Sequence, residues 1–171
     1  MPGSGPQDRR AAVWRCLETV LDPEVPVLSV CDLGIVRDVV VDEQGGGVEV
    51  VLTPTYSGCP ATEVIAQSVR DAVDAAGLGP ARVSHRLAPA WTSDWISGEG
   101  RRKLLEYGIA PPSGAAALGE VATVRIRPRN LACPRCRSVQ TERLSAFGST
   151  ACKALYRCLA CREPFEYFKP L

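Results

Sequence analysis

The chain of 171 residues contains a single histidine, and this scarcity limits the iron chemistry open to it. A diiron carboxylate site needs two Glu-x-x-His motifs on helices, and a mononuclear iron site needs two histidines with a carboxylate. The sequence also lacks the Cys-x4-Cys-x2-Cys spacing of plant-type ferredoxins and the Gly-x-Gly-x-x-Gly turn of a dinucleotide site. These absences argue against an oxygenase catalytic subunit and against an electron-transfer subunit.

Long apolar runs are also missing. No uninterrupted apolar segment approaches the roughly 18 residues that a membrane-spanning helix requires. The N-terminal stretch MPGSGPQDRR has no hydrophobic segment behind a basic one, so we expect no secretory signal. The expected location is a reducing cytoplasm, where cysteines bind metals or perform redox chemistry more often than they form structural disulfides.

The formal net charge of +1 hides an asymmetry between the two parts of the chain. Residues 1–119 hold 10 Lys and Arg against 15 Asp and Glu, whereas residues 120–171 hold 10 against 4. An acidic body is therefore followed by a basic module. The two could dock on each other or on a partner of opposite charge.

Periodicity in the first 109 residues predicts the order helix, strand, strand, helix, strand, helix, which is typical of a small α+β domain. We expect Asp8 to cap the first helix, whose apolar stripe is Val13, Leu17, Val20 and Leu21. β-rich runs at 35–41 and 48–53 flank a glycine-rich hairpin signal, and the alternation of Val83, His85 and Leu87 predicts a third strand.

The second helix is predicted over residues 61–76 and ends at Gly77. Its expected buried side is made by Val64, Ile65, Val69, Ala72, Val73 and Ala76. A third helical region opens at Thr92 or Ser93, is interrupted around Gly98 and ends at Gly108.

Composition divides the chain into three segments. Residues 8–109 form the predicted α+β domain, residues 110–119 read as a linker rich in Pro, Gly and Ala, and residues 120–171 form a cysteine-rich module. Five of the eight cysteines lie in that last segment.

Two CxxC pairs, Cys133-Cys136 and Cys158-Cys161, are separated by 21 residues. Two such turns, joined by a β-hairpin, supply the four thiolates of a tetrahedral zinc site, so we predict one structural zinc in a β zinc ribbon. A thioredoxin-like pair or an iron–sulfur site is the alternative. A module this small relies on the metal for much of its folding free energy. Cys152 lies inside the predicted hairpin and is interpreted as a half-buried strand residue, with a substitute ligand as the alternative.

Several reactive side chains of the first domain lie in its predicted loops. Cys59 directly precedes a predicted helix, where unpaired N–H groups and the helix dipole favour a thiolate. Cys31, Asp22, Glu24 and Asp32 lie in loops that the same fold could bring to one end of the sheet. The plainer interpretation is a helix-cap cysteine with turn-forming carboxylates. Cys16 is expected in the core, and His85 is expected to be a half-buried strand residue.

The stretches DPEVPVLSVCDLGIVRDVVVD and VVLTPTYSGCPATEVIAQSV resemble the domain of the SufT-like iron–sulfur assembly family. LAPAWTSDWISGEGRRKLLEYGIAPP and CPRCRSVQTERLSAFGSTACKALYRCLACREPFEYFKP are in addition similar to the PaaD-type accessory subunits encoded with bacterial phenylacetyl-CoA epoxidase. By position, the matches to the shared domain motif are Asp22, Pro23, Glu24, Asp32, Gly34, Thr53, Cys59 and Pro60.

The resemblance implies a non-catalytic accessory protein of aerobic phenylacetate degradation. Such a protein assists maturation of an iron–sulfur or diiron centre in a partner, the oxygenase or reductase subunit. The resemblance also implies a homodimer. If the fold brings Cys59, Cys31, Asp22, Glu24 and Asp32 to the same end of the sheet, they form an acidic-thiol site able to hold iron or a cluster transiently, across a dimer or against a partner. The alternative is a structural subunit of the oxygenase complex that handles no metal. Nucleic acid is disfavoured, because basic residues alternating with Leu, Phe and Tyr are typical of a solvated β-face.

Overall fold

The structure is a computed structural model that describes residues 5–42, 47–56, 58–113 and 131–171. The chain divides into two compact units. The first comprises Met1–Trp91 with Trp95–Gly100, and the second comprises Thr92–Asp94 with Arg101–Leu171.

The first unit contains the helices α1 (Pro6–Leu17) and α2 (Ala61–Ala75) and the strands β1 (Val36–Val41), β2 (Val48–Leu52) and β3 (Ala81–His85). The sheet order is β1-β2-β3, with β1 antiparallel and β3 parallel to β2. Since β2 and β3 run parallel, α2 serves as the crossover between them.

Valines of the sheet and of both helices form the core of this unit. Val39 and Val50 lie opposite each other on β1 and β2, and both are buried. Val13 on α1, with Val69 and Val73 on α2, is fully excluded from solvent. The β-branched side chains suit the strands, and their burial gives the helices a surface against which to pack.

The structure corrects the predicted ends of α1. Gly5 is the N-cap and Pro6 the first helical residue, so Asp8 lies in the first turn instead of capping it. The helix ends at Leu17, because the amide of Val30 donates to the carbonyl of Val20 and draws the chain into a loop. Val20 is buried as expected, but Leu21 is exposed.

Three further burial predictions are wrong. Ala76, the C-cap of α2, is exposed. Val64 is 53% exposed, because the buried side of α2 follows the spacing of Ala61, Ile65, Val69 and Val73. His85 is exposed where half-burial was expected, because it ends β3, which is an edge strand of the sheet.

Among its described residues, the second unit contains most of α3 (Gly98–Tyr107) and four strands, and a 3-10 turn at Ser93–Trp95 precedes them. The strands are β4 (Ile109–Ala110), β5 (Thr141–Ser145), β6 (Lys153–Cys158) and β7 (Pro164–Phe168). Their order is β4-β7-β6-β5, with β5, β6 and β7 antiparallel and β4 parallel to β7. The predicted class, an α+β domain followed by a β ribbon, is confirmed.

The domain boundaries 8–109 and 120–171 stay a prediction. Ala110, which composition placed in the linker, is the second residue of β4. Residues 114–119 of the predicted linker lie outside the described residues.

Candidate metal centre and the loops of the first unit

Four thiols meet at one end of the β5-β6-β7 sheet. The Sγ atoms of Cys133, Cys136, Cys158 and Cys161 all lie within 4.8 Å of one another. The Sγ atoms of Cys133 and Cys161 are 3.8 Å apart, and those of Cys136 and Cys158 are 3.5 Å apart. A tetrahedral zinc with Zn–S bonds of about 2.3 Å places its sulfurs about 3.8 Å apart. The donor set and its spacing therefore fit one zinc ion.

The two CxxC turns share one backbone pattern. The amide of Cys133 donates to the carbonyl of Ser138, five residues further on, and the amide of Cys158 donates to the carbonyl of Glu163. The residue after each turn has a positive φ, 61° at Arg137 and 69° at Arg162. The two CxxC turns thus have the same backbone geometry, and each offers one pair of thiol ligands to the metal site.

The electrostatics of the thiols favour a bound cation. The backbone N–H of Cys161 lowers the pKa of Cys158 to about 6. The backbone at Glu163 acts to lower the pKa of Cys161, but burial and the three neighbouring thiols raise it to about 12. Cys158 and Cys161 are therefore not both thiolates at neutral pH without a cation, and a divalent metal would supply the missing charge.

The ligands connect the metal to the small core of the ribbon. Cys133 and Cys158 are buried, whereas Cys136 is exposed. Cys133 and Cys158 belong to a hydrophobic cluster with Ala110, Leu131, Phe165 and Tyr167, against which Tyr156 and Cys161 pack. Tyr156 stacks on Phe165 with ring centroids 5.9 Å apart. A zinc ion at the four thiols thus fixes the strand ends that hold this core, which is the structural role predicted for it.

Cys152 is not a member of the metal cluster. It is buried, not half-buried, and directly precedes β6. Its Sγ lies 3.0 Å from Oγ1 of Thr150, and its carbonyl accepts from the amide of Lys169. These contacts fit a packing role in the ribbon.

In the first unit, the predicted carboxylates organise their own loops. Oδ1 of Asp22 accepts from the amides of Glu24 and Val25, at 2.8 and 2.7 Å. Oδ2 of Asp32 accepts from the amide of Ser29, whose hydroxyl accepts from the amide of Asp32 in return. Both aspartates are buried. The plainer interpretation, turn-forming carboxylates, therefore describes their contacts within the chain.

Residues that the sequence reasoning did not select hold the Asp32 turn in place. The hydroxyl of Ser97 donates to Oδ1 of Asp32, and the amide of Ser97 donates to the carbonyl of Asp32. The indole N–H of Trp91 donates to the carbonyl of Leu33. The stretch LAPAWTSDWIS carried the family resemblance, which was the available signal for these contacts.

The two thiols of the predicted transient site differ in setting. Burial, reinforced by the negative charges of Glu18 and Asp32, raises the pKa of Cys31 to about 12, so this thiol is protonated at neutral pH. Cys59 is partly exposed and lies between Gly58 and Pro60, the N-cap of α2. Its amide donates to the carbonyl of Tyr56, and its carbonyl accepts from the amide of Thr62.

Within the described residues of one chain, Cys133, Cys136, Cys158 and Cys161 are the one group of three or more potential ligands close enough to share a metal. Cys59, Cys31, Asp22, Glu24 and Asp32 thus do not form such a group by themselves. A transient site at these five residues stays a prediction, and it would need ligands from outside the chain. In the same described ranges, no helix is long and apolar enough to cross a membrane.

Comparison with known proteins separates the same two parts. Residues 10–84 match the family described as "Iron-sulfur cluster assembly protein", and residues 120–169 match the "PaaD zinc beta ribbon domain". The first part also resembles the crystal structure of a domain of unknown function, DUF59, from Bacillus anthracis. The TM-score is 0.53 at 25% identity, over 58% of this chain and 93% of that one.

Two curated relatives extend this result. An "Fe-S protein maturation auxiliary factor" of Porphyromonas gingivalis (strain ATCC BAA-308 / W83) is 37% identical over 57% of this chain and 89% of its own length. A protein of Escherichia coli (strain K12), provisionally named as one of the subunits of 1,2-phenylacetyl-CoA epoxidase, is 49% identical over 92% of this chain and 90% of its own. The chain therefore belongs to the PaaD family of phenylacetyl-CoA epoxidase subunits, as its motifs indicated.

Proposed function

We propose that this protein is a non-catalytic accessory factor of a phenylacetyl-CoA epoxidase. In this role it helps a partner subunit, the reductase or the oxygenase, to acquire its iron–sulfur or diiron centre in the cytoplasm. The observation that carries the proposal is the joining of an iron–sulfur-assembly domain, residues 10–84, to a zinc ribbon of the PaaD type, residues 120–169. The first part supplies the metal chemistry, and the second is the feature expected to direct it to one enzyme.

The described side chains support an accessory role over a catalytic one. The single histidine, His85, lies exposed at the end of an edge strand. Asp22 and Asp32 are buried and bind backbone amides of their own loops. The two aspartates support the shape of their own loops, one of which contains Cys31, and the iron or cluster is then a cargo that passes through.

Cys59 is the residue we assign to contact with the cargo. It is partly exposed at the entry to α2, whereas Cys31 is protonated and more enclosed. A single thiolate holds iron weakly, and further ligands would come from a second copy in a homodimer or from the partner subunit. A site completed in this way suits transfer, because separation of the two proteins releases the metal.

Metal content of the partner subunits tests the proposal. We expect the reductase or the oxygenase purified from cells lacking this protein to contain less iron and less acid-labile sulfide than from parental cells. Expression of the intact chain in trans should restore both. Full loading of both subunits without this protein would contradict the proposed function.

The second candidate is a structural subunit with no metal-handling role, which the same family membership would also fit. A structural subunit should be required for turnover even when the oxygenase and reductase are fully metallated. An assembly factor should be dispensable in that assay. Activity of the metallated subunits, measured with and without this chain, separates the two.

A further inference from the structure

Two arginines of the zinc ribbon hold a backbone conformation that L-amino acids rarely adopt. Arg137 has φ 61° and Arg162 has φ 69°, and these are the non-glycine residues with positive φ in the described part of the chain. Glycine is the default residue at such positions because it has no Cβ. The presence of arginine, not glycine, in this conformation at both turns suggests that the arginine side chain has a function.

The two arginines occupy equivalent positions and lie at the same end of the ribbon. Each directly follows the last cysteine of a CxxC turn, Cys136 or Cys161. Consecutive Cα atoms are about 3.8 Å apart, and the Sγ atoms of the two cysteines lie within 4.8 Å of each other. Arg137 and Arg162 therefore both lie at the metal-binding end of the ribbon, to which Arg135 adds a third arginine from within the first turn.

The side chains of these arginines are exposed. In residues 131–171, the structure shows no hydrogen bond or ion pair from the side chain of Arg137 or Arg162. In the same range, Arg157 pairs with Glu142, Lys153 pairs with Glu166, and Lys169 lies over the ring of Phe147. Arg143 on β5 is exposed and has no ion pair. Among these described residues, three of the four unpaired arginines therefore lie at the metal-binding turns.

We propose that Arg137 and Arg162, with Arg135, form a docking site for a carboxylate-rich segment of a partner protein. Guanidinium groups bind carboxylates in a bidentate manner, which fixes orientation as well as attraction. The proposal rests on the proposed function for the partner's identity, which is a subunit of the epoxidase. The strain at both turns is then the cost of presenting two arginines at the metal-binding end of the ribbon.

Two other uses of the arginines are less consistent with the structure. A protein that makes about 6–10 phosphate contacts shows the strong, salt-dependent affinity of nucleic-acid binding, whereas in residues 131–171 three exposed arginines lie at the turns. The arginines could instead neutralise the negative charge of a zinc ion bound by four thiolates, but that role would not require their guanidinium groups to be exposed. Both alternatives are outcomes of the test.

The test compares three full-length, zinc-loaded double variants with the parent. Arg137→Gly/Arg162→Gly removes the side chains and suits the backbone, and Arg137→Lys/Arg162→Lys keeps the charge without the bidentate fork. Arg143→Gln/Arg157→Gln removes the same charge from the sheet as a matched control. Association with the purified oxygenase and reductase subunits is measured at about 50 and 300 mM salt, which changes the screening of exposed charges. Zinc content and melting temperature are measured in parallel.

We expect the glycine variant to keep its zinc and its melting temperature but to bind the subunits at least about tenfold more weakly, as for the loss of a central arginine anchor. The lysine variant should bind with intermediate affinity, and the glutamine control like the parent. The docking site would be overturned if the glycine variant bound the subunits like the parent or lost its zinc. It would also be overturned if the parent associated with no subunit, or bound DNA or RNA more tightly than the subunits. Reduced iron in partner subunits from cells lacking this protein would still support the proposed function in that case.

Discussion

At the scale of single residues, Gly34 shows how one backbone position determines a loop. Its φ is +67°, and a Cβ placed there would lie 2.3 Å from the carbonyl oxygen of Trp95. The ring of Trp95 is held by the guanidinium of Arg37, 3.5 Å from its centroid. Because the nearest atom to that Cβ belongs to the backbone of Trp95, the clash cannot be relieved by movement of a flexible side chain.

Gly34→Ala should lower the free energy of unfolding by about 2 kcal/mol or more, because the strain of the left-handed backbone is added to the clash with Trp95. Gly77→Ala is the matched control: its φ is +69° and no atom lies within 4 Å of a Cβ there. It should cost only about 1 kcal/mol. Urea unfolding followed by the helical circular dichroism signal measures both. Equal losses would show that the contact with Trp95 has no energetic weight.

The zinc ligands are a second prediction at this scale. Cys158→Ser should abolish the zinc content of about one ion per chain expected for a four-cysteine site. It should also remove the strand signal of the ribbon, because metal binding supplies much of its folding free energy. The helical signal of the first unit should persist. Zinc is measured by elemental analysis of the purified chain.

Cys152→Ser is the control for that experiment. Its Sγ contacts Thr150 and lies outside the group of four thiols. The variant should retain its zinc. Loss of metal from Cys152→Ser, or iron with sulfide in the parent ribbon, would contradict the assignment of the four ligands.

At the scale of elements, the pairing of β6 with β7 contains a buried ion pair. Lys153 is 2% exposed, and its Nζ lies 3.1 Å from Oε2 of Glu166. Burial acts to raise the pKa of Glu166, but the backbone N–H of Ser149 and the Lys153 ammonium lower it below the usual value. The stabilisation from this carboxylate is therefore present above the ordinary carboxyl pKa and is lost as the pH falls through the lowered value.

Glu166→Gln should destabilise the ribbon by about 3 kcal/mol, because it leaves the buried ammonium without its counter-charge. The double variant Lys153→Met/Glu166→Leu should recover most of this loss, because no charge is then buried. Thermal unfolding of the zinc-loaded chain measures both variants. If the double variant is as unstable as Glu166→Gln, the pair stabilises the ribbon through packing and not through its charges.

At the scale of the whole molecule, the two parts have separate tasks in the proposed function. In that proposal, the first domain would handle the metal cargo and the ribbon would recognise the partner. The net charge is −5 over residues 1–119 and +6 over residues 120–171. The first part therefore favours positively charged surfaces, and the second favours negatively charged ones.

Cys59→Ala should leave the fold and the zinc content unchanged but reduce epoxidase activity in cells through under-metallated partner subunits. Cys16→Ala is the control, because the Cys16 thiol is partly buried and donates to the carbonyl of Ala72. It should act through packing alone, at about 1 kcal/mol. Growth on phenylacetate and the iron content of the reductase are measured. Parental growth with a fully loaded reductase in the Cys59→Ala strain would remove the metal-handling role and favour the structural subunit.

The linker gives a prediction about domain independence. The composition of residues 110–119 predicts that proteolysis is concentrated there or nearby. Mass spectrometry should identify two fragments, and the C-terminal one should retain zinc. If the parts survive only as one uncut chain, docking between the acidic and basic parts is the first explanation, and raising the salt concentration tests it.

The sequence by itself determined the zinc ligands, the element order and the family, because these depend on local spacing. A CxxC turn is a property of four consecutive residues, and the period of apolar side chains is a property of one helix or strand. The two CxxC pairs and the β-hairpin predicted to join them were therefore found in place.

The tertiary structure decided what each loop side chain does. Asp22 and Asp32 were candidate metal ligands by type, but their oxygens bind backbone amides that only the folded loop presents. Val64 and His85 fitted the local period, yet their exposure depends on which side of α2 and which edge of the sheet remain uncovered. The positive φ angles of Arg137 and Arg162 were not predicted from the sequence, because arginine as a residue type does not indicate a left-handed backbone.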